Sequence, residues 1–471
     1  MNIRSIFTAA IAALLATWSA PGAEAQLKMP PYSRVVLANG LTLLLMEQHE
    51  VPIVSFSVLV SAGSVEDPPG KEGLASLTAE LLRRGTTTRS SEQLATDLDF
   101  LGGLMDFDGG LDFSAGGAEF LAKDTGAGVA LLADVLFHPS FPKEEVEKRI
   151  QQRVDELKSL KDEPQAVITN YFHAFLFANH PYGRPIDGDE ASNAKLTRDD
   201  VVGFYQRNYR PEKMRIAVAG DFVQGEMKQL LEKALVMERA ATPAVSQSQS
   251  RPKVPPPQYV RGRKLLLVDK PDATQTFYVL GNIGISRTNA DRVPIQLVNT
   301  VFGGRFTSIL NDELRVSSGL TYGARSTFGR YLQAGPFAIS SFTQNSNTVR
   351  ALDMTLEVLK RLHTVGLSEE QLKSAKAYIK GQFPPQIETT DHLATLMTQL
   401  DFFGLDEREI NELFSRIDAV TLQDCKRVID QYFPKDDLVF ALVGKASELG
   451  GSLKKYAPQI EKRDISQVGY K

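Results

Sequence analysis

The sequence predicts an α+β protein of two homologous domains, and three observations carry that prediction. Regular apolar periodicity stops over residues 241–263, ATPAVSQSQSRPKVPPPQYVRGR, where Pro, Ser and Gln take over as in an extended, solvated connector. The stretches on either side of it end alike. LTRDDVVGFYQRNYRPEKMRIAVAGD at 196–221 and VTLQDCKRVIDQYFPKDDLVFALVGK at 420–445 each pass from a helix-like segment through a Tyr/Phe-x-Pro turn to a short apolar run. Thr197 and Asp200 correspond to Thr421 and Asp424 at a spacing of 224 residues, and Pro211 to Pro434 at 223. One residue of slippage separates these anchors, and a repeat this long means two copies of a domain rather than a solenoid. Strand and helix periodicities are mixed within each copy, which places helices against a sheet.

In chain order, Arg4 supplies a positive region, residues 7–18 an apolar core and Ala23-Glu24-Ala25 a small-x-small cleavage site. This is the pattern of a secretory signal over residues 1–25, shorter than the roughly 20 apolar residues that cross a bilayer. A mature chain starting at Gln26 in a bacterial periplasm is the expectation, with no membrane span after signal removal. The first domain then covers residues 26–240, the Pro-rich linker 241–263, and the second domain 264–471. In the first, VSFSVLV at 54–60 puts Val54, Phe56, Val58 and Val60 on one face of a half-buried strand. Leu74, Leu77, Leu81 and Leu82 recur at helical spacing, as do Leu352, Leu356, Leu359 and Leu362 in the second.

Composition narrows the function classes. A chain that is 42% hydrophobic and 23% charged is globular rather than disordered. A formal net charge of −4 gives no reason to expect nucleic acid or an anionic membrane surface as partner. Cys425 is the only cysteine, so an intrachain disulfide and a zinc site built on thiolates are both excluded. Of the six histidines, His49, His138, His173, His180, His363 and His392, no two lie three or four apart on a helix-like segment.

One order of motifs is distinctive. NGLTLLL at 39–45 is followed by a Pro-led strand, by AGSVEDPPGKEGLA at 62–75, and by a helix ending in RRGT at 83–86. It resembles the first domain of the pitrilysin and insulinase family of zinc metallopeptidases, in the branch that includes mitochondrial processing peptidase and bacterial two-subunit relatives. The resemblance covers nearly the whole mature chain. It implies a clamshell of which one chain forms half, each domain a mainly antiparallel sheet packed with helices. In active members the helix reads H-x-x-E-H: two histidines on one face bind zinc and the glutamate activates the metal-bound water. Aligned by Gly73, Ala75, Gly85 and Thr86, the histidine positions fall on Ser76 and Glu80 and the base position on Ala79. The third ligand position matches Glu156, eight residues before Pro164. No metal is expected on this degenerate set. The plain alternative makes Glu156 a helix-surface residue and pairs Glu80 with Arg83 or Arg84 along its own helix. His180, in HPYGRP at 180–185, reads as structural.

The second half keeps more. FGGRFTSILNDELRVSSGLTYGARS at 302–326 matches the family in Gly303, Gly304, Glu313, Leu314, Arg315, Gly319, Leu320 and Tyr322. The resemblance implies that Arg315 and Tyr322 reach across the chamber to the substrate carbonyl, or to the oxyanion formed there, opposite a zinc. Guanidinium and phenol suit that task because they are fixed donors for a developing negative oxygen. The alternatives are that Arg315 caps a helix or forms an ion pair and that Tyr322 fills the core. The combination implies a zinc-free subunit of a heterodimeric metallopeptidase. Its homologous H-x-x-E-H partner would bring the zinc, and its substrate would be a peptide or unfolded polypeptide aligned by strand addition. A second class is a non-enzymatic scaffold or peptide-binding protein, as the core subunits of the respiratory cytochrome bc1 complex are within this family. A third is an independent enzyme with Ser76 and Glu80 as nucleophile and base, although no histidine or lysine lies beside them. The connector is expected to act as a hinge.

Overall fold

A computed structural model describes residues 28–235 and 251–471. The signal pattern at 1–25 and residues 241–250 of the connector lie outside the described residues.

The apolar runs form two six-stranded sheets. The first contains β1 (Ser33–Val36), β2 (Thr42–Glu47), β3 (Ile53–Val60), β4 (Leu104–Gly109), β5 (Ser114–Leu121) and β6 (Met214–Gly220), in the order β1-β2-β6-β3-β5-β4. The second contains β7 (Arg263–Asp269), β8 (Gln275–Ile283), β9 (Ala324–Arg330), β10 (Ala334–Gln344), β11 (Leu438–Gly444) and β12 (Ile460–Asp464), in the order β12-β7-β11-β8-β10-β9. Both are mixed. Antiparallel neighbours predominate, but β6 and β11 return through helices and pair in parallel with β2 and β7, as β12 does with β7.

Register makes the repeat explicit. Leu44, Ala217, Ser57, Gly117 and Asp106 stand side by side across the first sheet. Leu266, Ala441, Val279, Ser340 and Arg325 do so across the second. Thr197 and Thr421 are N-caps of the helices Arg198–Asn208 and Leu422–Tyr432, each in a capping box closed by Asp200 or Asp424. The slippage between the prolines is made up in the turn from Pro434 to Leu438, where β11 begins.

Each sheet has two apolar faces, and its own half covers only one. Leu43, Leu45, Val54, Phe56 and Val58 pack against first-half helices through Leu77, Leu132 and Phe204. The opposite face, with Leu44, Met46, Ala217 and Ala219, is covered by Leu393, Ala394, Met397 and Leu400 of the second-half helix Thr390–Phe403. The exchange is reciprocal. Val167, Ile168, Tyr171 and Phe172 of the first-half helix Pro164–Phe177 cover Leu266, Val268, Val279 and Ala441 of the second sheet. Burying each large side chain of this kind is worth about 1.5–3 kcal/mol, so neither half has a complete core alone.

This corrects the half-buried strand read at 54–60. β3 is buried on both faces, because Ser55 and Ser57, whose polarity signalled solvent, bond Thr390 and Thr398 of the exchanged helix at 2.8 and 3.0 Å. The last turn of the same helix carries Asp401, whose carboxylate accepts from Arg34 Nε and Arg215 Nε, both at 2.7 Å.

The halves also meet at HPYGRP. His180 Nδ1 accepts from the Tyr182 N–H, so its Nε2 carries the proton and donates to the Pro255 carbonyl at 2.7 Å. The Tyr182 hydroxyl donates to Asp112 and accepts from the Gln333 N–H, while Leu332 N–H donates to Asp112. With Val254 buried in the shared core, the described part of the connector is fastened to both halves and does not read as a hinge. No described helix is long and apolar enough to cross a membrane.

Asp401→Ala removes the carboxylate partner of Arg215, whose side chain is 2% exposed, and is expected to cost about 3–5 kcal/mol in urea denaturation. Arg34→Ala, at a 35% exposed side chain, is expected to cost about 1 kcal/mol or less. Both variants should unfold in one transition; two separable transitions would contradict the interlocked core.

Candidate functional site

The helix Leu74–Leu81 is placed by its first turn. Gly73 has φ 96°, where a Cβ would crowd the Asp187 carbonyl, and Asp67 accepts from the N–H groups of Gly73 and Ala75 at 2.8 Å each. The helix lies hard against β4: a Cβ on Gly109 would collide with the backbone of Ser76. Ser76 is therefore buried, and its hydroxyl donates to Asp187 at 2.6 Å. Ala79 is buried as well.

Glu80 faces the neighbouring helix, Lys143–Ser159. Arg149, Arg153 and Glu156 follow there at i, i+4 and i+7 and share one face. Arg149 Nε donates to Glu80 at 2.7 Å, Arg153 donates to the other Glu80 oxygen, and Arg149 Nη1 donates to both oxygens of Glu156 at 3.0 Å. One guanidinium thus joins Glu80 and Glu156, the two carboxylates for which the resemblance implies the second and third metal-ligand positions. Burial pushes the Glu80 carboxyl up, but the Arg149 hydrogen bond and the charges of Arg153 and Arg149 outweigh it and hold it below the usual range. The expected pairing of Glu80 along its own helix does not form, since Arg83 donates instead to the Met105 carbonyl. A cavity of about 800 Å³, lined in part by Asp106 and Asp108 of β4, opens beside the network.

These residues do not fit a zinc ion. Ser76 gives its proton to Asp187, Ala79 has no donor atom, and the space between Glu80 and Glu156 is spanned by a cation already. Among the described residues no three His, Cys, Asp or Glu side chains are grouped to hold a metal. Nor do Ser76 and Glu80 make a nucleophile and base, because each is committed to a different partner.

The second-half motif builds an open site. Gly303 presses the turn Thr300–Gly304 against β9, where a Cβ would meet Ser326. Asn311 clamps the following loop by bonding the Phe306 carbonyl and the Ala324 N–H. Leu314 anchors the turn Asp312–Ser317 in the core, and Gly319 at φ 61° sends the chain on to Tyr322. The Arg315 guanidinium carbon lies 4.6 Å from the ring centroids of both Phe306 and Tyr322. These rings are 70% and 76% exposed. Among the described residues the Arg315 side chain makes no hydrogen bond or ion pair, and it lines a cavity of about 510 Å³. Tyr322 does not fill the core and Arg315 caps no helix. Phe306, which completes the sandwich, escaped sequence reasoning because nothing in periodicity separates it from an ordinary loop aromatic.

Comparison with known proteins agrees with this frame. The model described as insulinase, peptidase family M16, matches residues 42–190, and that described as peptidase M16 inactive domain matches residues 195–379. Together they span about seven-tenths of the chain. The chain is 26% identical over 402 residues to an uncharacterized zinc protease of Mycobacterium leprae, covering 85% of this chain and 89% of that one. It is 23% identical over 417 residues to the uncharacterized zinc protease YmxG of Bacillus subtilis, covering 88% and 99%. A solved peptidase M16 inactive domain from Pseudomonas fluorescens superposes with a TM-score of 0.81 at 22% identity, covering 88% of this chain and 98% of that one. A protease from Helicobacter pylori superposes equally well, at 0.81 and 18% identity, covering 88% and 100%.

A carboxyl held low in the fold contributes stability above its unfolded pKa, about 4.3, and loses it as pH falls through the folded value. Glu80→Gln is therefore expected to lower stability by about 1–3 kcal/mol at pH 7, with the gap to the parent closing below about pH 4 in parallel urea melts. A gap independent of pH would remove the ion pair as its cause.

Proposed function

Since the chain belongs to the M16 insulinase family of peptidases yet has Ser76, Ala79 and Glu80 in place of its zinc motif, we propose that it is the zinc-free, non-catalytic subunit of a periplasmic heterodimeric metallopeptidase. It gives Arg315 and Tyr322 to the active site of an H-x-x-E-H partner that cleaves peptides. The observation that carries this reading is the contrast between the two sites. Where the family binds metal, a guanidinium is locked between carboxylates; where the family holds substrate, a guanidinium is held between two rings with its donors free.

In this role the chain moves no proton and activates no water. Arg315 and Tyr322 supply a charge and a hydroxyl donor to a substrate carbonyl as it gains negative character. The rings fix the guanidinium without using its hydrogen bonds, so no internal partner has to be displaced. β4 and β9 end their sheets and offer edges to an extended chain. The signal pattern at 1–25 supports export. The same half-buried, unpaired arginine would also serve a non-enzymatic peptide-binding protein, and one experiment separates the two.

The mature chain is expressed alone and with an H-x-x-E-H paralogue from the same genome, and zinc content and cleavage of a quenched peptide are measured. Activity is expected only in the mixture, with zinc in the paralogue. Arg315→Lys or Tyr322→Phe should lower its kcat by about 10²–10³ while gel filtration shows the heterodimer intact. Full activity with both residues changed would favour the non-enzymatic reading.

A further inference from the structure

We propose that the cavity holding Arg315 and Tyr322 selects extended peptides by a carboxylate, and that Arg305 and Arg325 set this choice. The proposal rests on the subunit reading and deepens it by naming a substrate class, and its charge preference can be measured on this chain by itself.

Three arginines line the cavity, Arg305, Arg315 and Arg325, and no lining residue is Asp or Glu. Elsewhere in the fold Arg149, Arg215, Arg292 and Arg427 each sit on a carboxylate. In the cavity the donors outnumber their acceptors. Arg305 bonds Ser374 through Nη1 at 2.9 Å, but its Nε is buried with no hydrogen-bond partner. Arg325 has one long bond, 3.3 Å to Ser340, and Arg315 has none among the described residues. A guanidinium N–H left unpaired in a recess is costly, and an anion that accepts it gains a charge-assisted bond.

The shape suits a peptide. The floor comes from β8, β10 and the edge strand β9, one wall carries the stacked rings of Phe277 and Phe342 at 5.2 Å, and Gln165 and Thr169 of the exchanged helix close another. The first half supplies an internal control. At the register position of Arg325 the first sheet has Asp106, and the corresponding groove, about 890 Å³, is lined by Glu50, Asp106, Asp108, Glu119, Glu388 and Asp391 with no Lys or Arg. Positive charge at this place is thus not imposed by the fold. The carboxylate comes from an Asp or Glu side chain or from a peptide C-terminus.

The test uses the full mature chain and fluorescence anisotropy with labelled eight-residue Thr/Val peptides. Their central pair is Glu, Gln or Lys, and each is made with a free and an amidated C-terminus. The Glu peptides are expected to bind about tenfold more tightly than the Gln peptides, with the Lys peptides weakest. If amidation removes binding while Glu and Gln peptides do not differ, the carboxylate recognised is the C-terminal one. Arg305→Gln and Arg325→Gln should each abolish the preference with the melting temperature unchanged, and Arg325→Lys should keep part of it. Equal affinity for all peptides, or none for any, overturns the proposal. A charge-selective chain that activates no paralogue keeps this inference and removes the subunit reading; an active heterodimer whose subunit binds without regard to charge does the reverse.

Discussion

The structure depends on one exchange. Each sheet is apolar on both faces, and each half places its helix Pro164–Phe177 or Thr390–Phe403 on the sheet of the other. Nearly everything else follows from that constraint. β3 is buried on both sides, Asp401 is drawn between Arg34 and Arg215, and the described part of the connector is fastened to the first half. The exchange also shapes the open site, because the wall opposite Arg315 is a first-half helix. The cavity is therefore a property of the whole chain.

How much of this the sequence disclosed can be traced residue by residue. The repeat was legible because capping and turn chemistry is local: Thr197 with Asp200 and Thr421 with Asp424 carry their geometry within a single turn. The α+β class was legible from strand and helix periodicities, which are local too; Arg315 and Tyr322, seven residues apart, were singled out by the family resemblance, and the structure brings their side chains together. What escaped was contact over distance. Alternation marks Ser55 and Ser57 as solvent-facing, and only the arrival of Thr390 and Thr398 makes them interior. Glu80 has two arginines three and four residues on, yet its partners are Arg149 and Arg153 on another helix, since packing brings those guanidinium groups closer than local rotamers do.

The Arg149 network shows how a frame survives a change of chemistry. A divalent metal would cross-link two helices through directed bonds and would also acidify a bound water. A guanidinium between Glu80 and Glu156 provides the cross-link and a positive charge but has no open coordination position. The helix Leu74–Leu81 is held in place by Asp67, Asp187 and two arginines.

The exchanged helices also bear on how the chain reaches this state. Contacts such as Ser55 with Thr390 and Arg34 with Asp401 close loops of 335 and 367 residues, among the longest that the chain permits. Long closures are slow, and the apolar face formed by Leu44, Met46, Ala217 and Ala219 stays bare until a helix near residue 400 has been made. During synthesis that apolar face has no cover from its own chain until the last quarter of the polypeptide arrives, which is the kind of surface through which other copies associate.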